Sequence, residues 1–100
     1  MSWADRAIES LQKDGMAQMR PRGNSMIPLI RSGNLVTLEV CKQEALEKGH
    51  IVLVRVNGNV YLHLITAING DRYQISNNKG HINGWVKYGA IYGRAVKIEP

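Results

Sequence analysis

The sequence predicts a mainly β domain: a coiled antiparallel sheet or partly open β-barrel with a short N-terminal helix. Three observations predict it. From Leu35 onward, apolar residues alternate with a period of two or run unbroken for five or six positions. Turn signals separate these runs at short intervals: Ser32-Gly33-Asn34, Asn57-Gly58 and Asn69-Gly70-Asp71. Helical spacing occurs only at the start, where Ala4, Ala7, Ile8 and Leu11 recur at three- and four-residue steps. Many short strands joined by tight turns favour a sheet that curls or closes.

The elements follow in order. Residues 1–19 form the helical segment and residues 20–100 the β domain, together one structural unit. Ser2 followed by Asp5 resembles an N-cap with an acidic first turn. Gly15 weakens the second half, so an end near Lys13 or Asp14 is consistent with the pattern. Arg20 is extended because Pro21 follows it. Ile27-Pro28-Leu29-Ile30 is read as one helical turn with Pro28 near its first position. Leu35–Val40 is a strand, and Lys42–Lys48 is a polar connection. Ile51–Val56 is a strand apolar enough to be buried on both faces. Asn57-Gly58 is the strongest hairpin signal, and Asn59–Ile68 is its return strand. Arg72–Ser76 is the next strand, Asn77–Gly84 a polar loop, and Tyr88–Ile98 a final strand or strand pair bent at its glycines. This makes five to seven strands.

Composition narrows the function classes. Apolar residues make up 44% of the chain, enough for a packed core although Phe is absent. The net charge of +5 favours acidic partners, but the basic residues are spread out, so dedicated nucleic-acid binding is not favoured. The single Cys41 suits a reducing compartment, and its expected role is a half-buried structural thiol. His50, His63 and His81 lack partner cysteines, so no metal centre or other cofactor is expected. No apolar run approaches the roughly 20 residues that span a bilayer, and the first residues lack the apolar stretch of a secretory signal. The expected setting is cytoplasmic, away from the membrane.

One stretch is suited to chemistry. Gly23-Asn24-Ser25-Met26-Ile27-Pro28-Leu29 is a small polar turn that runs straight into an apolar segment. Backbone N–H groups are free in such a turn, and a serine hydroxyl can be exposed. Ser25 is either a nucleophile or a turn residue. A nucleophilic serine needs a base. His63 is the best placed, flanked by Tyr61, Leu62, Leu64 and Ile65 on its strand. Partial desolvation there would lower its pKa and keep it neutral. The alternative is a strand histidine satisfied by a neighbour or by solvent. Lys79 is a rival base, but its polar loop favours a solvated side chain. Trp85 and Tyr88 are candidates for a peptide groove or for core rims. Met16, Met19 and Met26 are candidates for a soft apolar surface or for core filling.

Two segments resemble the LexA / signal peptidase I superfamily of serine peptidases. Gly23–Val36 resembles its nucleophile box, Gly-x-Ser-Met-x-Pro-x-Leu/Ile-x-x-Gly-Asp-x-Val. Gly49–His63 resembles the second box: Gly-Asp-x-Val, a hairpin, and then the base. The lysine of repressor-type members falls on His63 without a gap, and one signal peptidase branch carries histidine there. Ile91–Ile98 resembles the closing Gly-x-Val strand. The likeness covers residues 20 to 98. It implies a mostly β, partly coiled domain in which Ser25 attacks a peptide carbonyl and His63 is the general base. The backbone of Ser25, with Asn24 or Gly23, would hold the oxyanion. Four positions depart from the pattern, one of them Leu64, where the residue after the base is often Arg. Asn34 and His50 replace aspartates, and His81 stands where the histidine branch has the acid that orients its base. Asn78 or Asn83 could orient the His63 ring through an amide carbonyl.

The expected function is therefore cleavage of another protein or peptide by a Ser25–His63 dyad, without cofactor. With 24 residues before Ser25 and no Ala-Gly bond among them, repressor self-cleavage is not expected. A short relative of this kind would suit a phage or mobile-element setting. The alternative is a non-catalytic peptide-binding or homodimerising module of the same fold, such as an accessory protein in transcription regulation. Nucleic-acid binding through the basic surface is a third, less favoured reading, and it predicts a steep dependence on salt.

Overall fold

Local signals set both ends of the first element. The structure is a computed structural model that describes residues 2–100; Met1, counted in the helical segment above, lies outside the described residues. Helix α1 spans Trp3–Asp14 and opens with a full capping box: the Ser2 hydroxyl accepts from the Asp5 N–H, and the Asp5 carboxylate accepts from the Ser2 N–H. Gly15 ends it in the left-handed conformation (φ 75°) and donates to the Leu11 carbonyl at 2.9 Å. The helical segment therefore stops short of residue 19. Met16–Met19 is strand β1, in which Ala17 and Met19 point into the core while Met16 and Gln18 face out. The reversal at Gly15 and this two-residue alternation override any continuation of the helix.

Six further strands follow: β2 (Leu35–Glu39), β3 (Ile51–Val56), β4 (Asn59–Asn69), β5 (Arg72–Ser76), β6 (Ile82–Lys87) and β7 (Ile91–Glu99). Short 3-10 turns at Gln43–Ala45 and Tyr88–Ala90 connect them. All seven strands form one antiparallel sheet in the order β1-β2-β7-β3-β4-β5-β6, with β1 and β6 as edges. The sheet curls without closing. Asn57 and Gly58 both take positive φ, as a two-residue hairpin turn between β3 and β4 requires. Among the described residues no helix is long and apolar enough to cross a membrane.

Two apolar clusters fill the two sides of the sheet. Helix α1 contributes Ala7 and Leu11 to the first, with Val36, Leu38, Leu53 and Leu62 from the strands and Met26 and Ile30 from the Ser25 turn. The second lies inside the curl, around Val52, Val54, Val56, Ile65, Tyr73 and Ile75. Strand β3 supplies both, which explains its unbroken apolar run. Met19 and Met26 are core filling and Met16 is exposed, so the three methionines form no common surface.

Two expectations change. Strand β6 starts at Ile82, inside the segment expected to be a loop, which shortens that loop to residues 77–81. Asn83 and Gly84 fall in the expected loop, but Gly84 packs against Val56 where the sheet curls over itself. A Cβ on Gly84 would lie 3.2 Å from Val56 Cγ1. Ile27–Ile30 is not helical either. It is a tight turn closed by the Ile30 N–H on the Met26 carbonyl at 3.0 Å, and its Ile27–Pro28 peptide is cis.

The structure also accounts for two departures from the box pattern. Asn34 Oδ1 accepts from the Arg31 N–H at 2.7 Å. His50 Nδ1 accepts from the Glu47 N–H at 3.1 Å. Each acceptor follows a left-handed glycine, Gly33 or Gly49, and closes a turn three residues back. An aspartate can make the same bond, so amide and imidazole keep the acceptor while dropping the charge.

Two stability predictions follow from these contacts. Replacing Asn34 by Ala leaves the Arg31 N–H without its partner and lowers stability by about 1 kcal/mol, whereas Asn34→Asp keeps it; urea midpoints measure the difference. Gly93 sits where α1 crosses β7, and a Cβ there would come within 2.9 Å of the Glu39 carbonyl oxygen and 3.0 Å of Leu11 Cδ2. Gly93→Ala lowers stability by about 1–3 kcal/mol on thermal or urea unfolding, because backbone must move to relieve it.

Candidate active site

Two buried residues that follow Ser25 fix its turn. Met26 and Ile30 are 5% and 4% exposed and anchor it in the first cluster, while Asn24, Ile27 and Pro28 stay in solvent. Asn78, from the loop between β5 and β6, clamps it from outside. Its N–H donates to the Ser25 carbonyl and its side-chain amide to the Ile27 carbonyl, both at 3.0 Å. Asn77 stiffens that loop by accepting from the N–H groups of Lys79 and His81 at 2.9 Å each. The turn's internal bonds run from Ile27 N–H to the Asn24 carbonyl and from Ile30 N–H to the Met26 carbonyl. The N–H groups of Asn24 and Ser25 take no part in these bonds among the described residues.

His63 lies on β4, opposite Val52 of β3, and is 7% exposed. Its Nε2 is 3.3 Å from Ser25 Oγ. On the other side of the ring, Nδ1 is 2.7 Å from Asn83 Oδ1. Tyr61, two residues earlier on the same face of the strand, stacks on the ring with centroids 4.9 Å apart and planes 21° apart.

Asn83 reaches the ring because of a bulge. Ile75 pairs with Gly84 and Ser76 with Ile82, so Asn83 is the extra residue on β6. A bulge re-aims the side chain it carries. An oxygen acceptor at Nδ1 selects the tautomer with the proton on Nδ1, which leaves a lone pair on Nε2 facing the serine. Burial pushes the His63 pKa below the ordinary histidine range. The Asn83 hydrogen bond works the other way, and the nearby His81 adds to the lowering.

The expected site residues therefore separate. Ser25, His63 and Asn83 form one hydrogen-bonded line. Asn78 holds the Ser25 turn and does not touch the ring. His81 is exposed and meets Asn77 through its backbone, so its side chain orients nothing at His63. Lys79 is exposed in the same loop, and His50 closes its own turn. The Cys41 thiol donates to the Lys42 carbonyl at 3.5 Å, and burial raises its pKa, consistent with an inert structural thiol. Trp85 is exposed on β6 and the Tyr88 hydroxyl donates to the Cys41 carbonyl, so neither borders Ser25.

A cleft of about 160 Å³ opens beside Ser25 and His63. Its walls include Met26, Ile30 and Leu62, with Arg22 and Trp3. Sequence reasoning missed Trp3, since nothing in its spacing links the start of a helix to a distant serine. It also missed the Tyr61 stack, which the two-residue strand period could have signalled.

A serine hydroxyl facing an unprotonated imidazole nitrogen, with the ring held from behind, can act in acyl transfer. No curated protein matches the chain. The Peptidase S24-like family matches residues 3–96, a span that includes both boxes, the first six residues of the closing strand and the whole Ser25–His63–Asn83 line. The chain belongs to the Peptidase S24-like family.

Proposed function

We propose that this protein is a serine-type peptidase that cleaves a protein or peptide substrate in trans through a Ser25–His63 dyad, with Asn83 orienting the base. The observation that carries this reading is the continuous line from Ser25 Oγ through both ring nitrogens to Asn83 Oδ1, at 3.3 and 2.7 Å. Ser25 Oγ bonds to the substrate carbonyl carbon as its proton passes to His63 Nε2. The N–H groups of Ser25 and of Asn24 or Gly23 take up the oxyanion, each donor contributing about 3 kcal/mol to the barrier reduction. The C–N bond then breaks and His63 returns the proton to the leaving amine. Water repeats the sequence on the acyl-enzyme, releasing the acid and restoring Ser25. The proposed setting is the cytoplasm, where Cys41 stays reduced.

One observation favours a second reading. The group behind His63 is an amide, which cannot stabilise an imidazolium as a carboxylate does. A peptide-binding or dimerising module would keep the fold and the cleft without turnover.

Active-site labelling separates the two. A small fluorophosphonate should label the wild type between pH 7 and 9, and neither Ser25→Ala nor His63→Ala at a comparable rate. Absence of Ser25-dependent labelling would select the binding module. The base must be neutral to accept a proton, so labelling rises with pH. Because burial lowers the His63 pKa, the midpoint lies below that of an ordinary histidine, about 6.5; a rise only near about 8 or above would implicate a lysine.

Asn83 supplies an independent check. Asn83→Ala removes the acceptor at Nδ1 and should slow labelling by about a hundredfold, less than the roughly 10⁴-fold cost of disabling a triad acid. Asn83→Asp places a negative charge against the ring, which raises the His63 pKa, moves the midpoint to higher pH and speeds the plateau. An unchanged midpoint in Asn83→Asp would exclude contact between this side chain and the base.

A further inference from the structure

We propose that the cleft beside Ser25 receives an apolar side chain of leucine to phenylalanine size from the substrate residue whose carbonyl is attacked, and that Trp3 is the residue that sets this preference. The inference rests on the peptidase reading above and names its substrate class. Three observations carry it. The first is size: at about 160 Å³ the cleft matches the roughly 150 Å³ of an engineered apolar cavity that binds benzene. A methyl side chain would leave most of it unfilled.

The second is chemistry. Met26, Ile30 and Leu62 present apolar surface, and a methionine wall adapts to branched or flat groups. The basic residues on the lining are His63, which faces Ser25, and Arg22, which is exposed, and no carboxylate is among the lining residues. A guanidinium at the rim disfavours a lysine or arginine side chain in the cleft.

The third is the way Trp3 is held. It is the first residue of α1 and remains 44% exposed despite its size, with its ring on the cleft. The helix beneath it is fixed by the Ser2–Asp5 capping box and by buried Ala4, Ala7 and Leu11. Trp3 is therefore a wall on a rigid mount, and an aromatic face of this kind gains most from a large apolar occupant. The wall comes from the helix, outside the two boxes that carry the dyad.

The test uses p-nitrophenyl esters of N-acetyl-alanine, -leucine, -phenylalanine and -arginine. In each, Ser25 Oγ bonds to the acyl carbon, the C–O bond to the nitrophenyl group breaks, His63 takes the serine proton, and nitrophenolate leaves; water then releases the acid. Leucine and phenylalanine esters should exceed the alanine ester in kcat/KM by about tenfold or more, with arginine the poorest. Trp3→Ala should bring the leucine-to-alanine ratio close to one, and Trp3→Tyr should restore most of it. Alanine is a strong helix former, so the first variant keeps α1, and circular dichroism verifies that. Preference for alanine in the wild type, or a ratio indifferent to Trp3→Ala, overturns the proposal.

The fluorophosphonate, which needs no side-chain pocket, reports separately on the dyad. If it fails to label Ser25, the peptidase reading falls, and the cleft is then tested by binding to a Ser25→Ala/Trp85→Phe protein whose one tryptophan is Trp3, excited at the red edge where tyrosine does not absorb. N-acetyl-leucinamide should shift the Trp3 emission to the blue and N-acetyl-alaninamide should not. No shift with the leucine amide overturns the proposal by that route.

Discussion

A buried imidazole has two ring nitrogens, and each needs a partner. His63 is 7% exposed, so water cannot meet that need on its behalf. The partners come from opposite directions and from distant parts of the chain, 38 residues before it in Ser25 and 20 after it in Asn83. Much of the architecture can be read as the means of bringing these three side chains together. The sheet must curl so that β6 returns towards β4. The bulge must fall at Asn83 and not one residue away, because a one-residue slip would send the side chain to the other face. Gly84, next to the bulge, has no side chain to obstruct the curl over Val56.

The serine is held by different means. Its turn belongs to no strand, so its position rests on Met26 and Ile30 in the core and on the Asn78 clamp from the opposite loop. That clamp links the two halves of the site. The loop that begins with Asn77 and Asn78 leads directly into β6 and Asn83, so one short segment fixes the nucleophile's backbone and delivers the group behind the base. A change in this loop would therefore disturb both ends of the line.

How much of this was legible in the sequence depended on whether the signal was local. The capping box, the Asn57-Gly58 hairpin, the two-sided β3 and the pairing of Ser25 with His63 are written in adjacent residues or in the spacing of the two boxes. The end of α1 was written too, in Gly15, although the four residues beyond it carry a strand pattern too short to stand alone. Asn83 was one of three candidates, and only the bulge distinguishes it from Asn78 and His81. A bulge is a property of pairing between strands, and in sequence Asn83 and Gly84 fall in the expected loop. Trp3 was invisible for the same reason: its place on the cleft depends on how α1 docks across β7. The departures at Asn34 and His50 looked like losses in sequence and prove to be substitutions of one acceptor for another.

The amide behind His63 is a different kind of replacement. At Asn34 and His50 only the acceptor matters, because the partner is a neutral backbone N–H. At Asn83 the partner is a ring that must become charged in the proposed reaction. An amide oxygen orients the ring and selects the tautomer, as a carboxylate does, but adds no negative charge to stabilise the imidazolium. Burial disfavours the charged ring, and the hydrogen bond to Asn83 acts against that effect. Burial therefore favours the unprotonated ring and makes it a weaker base, while the amide contact opposes this in part. Proton-transfer efficiency depends on availability and basicity together. In the proposed dyad the ring is thus held in place and in the right tautomer, with no negative charge behind it to offset the cost of protonating it.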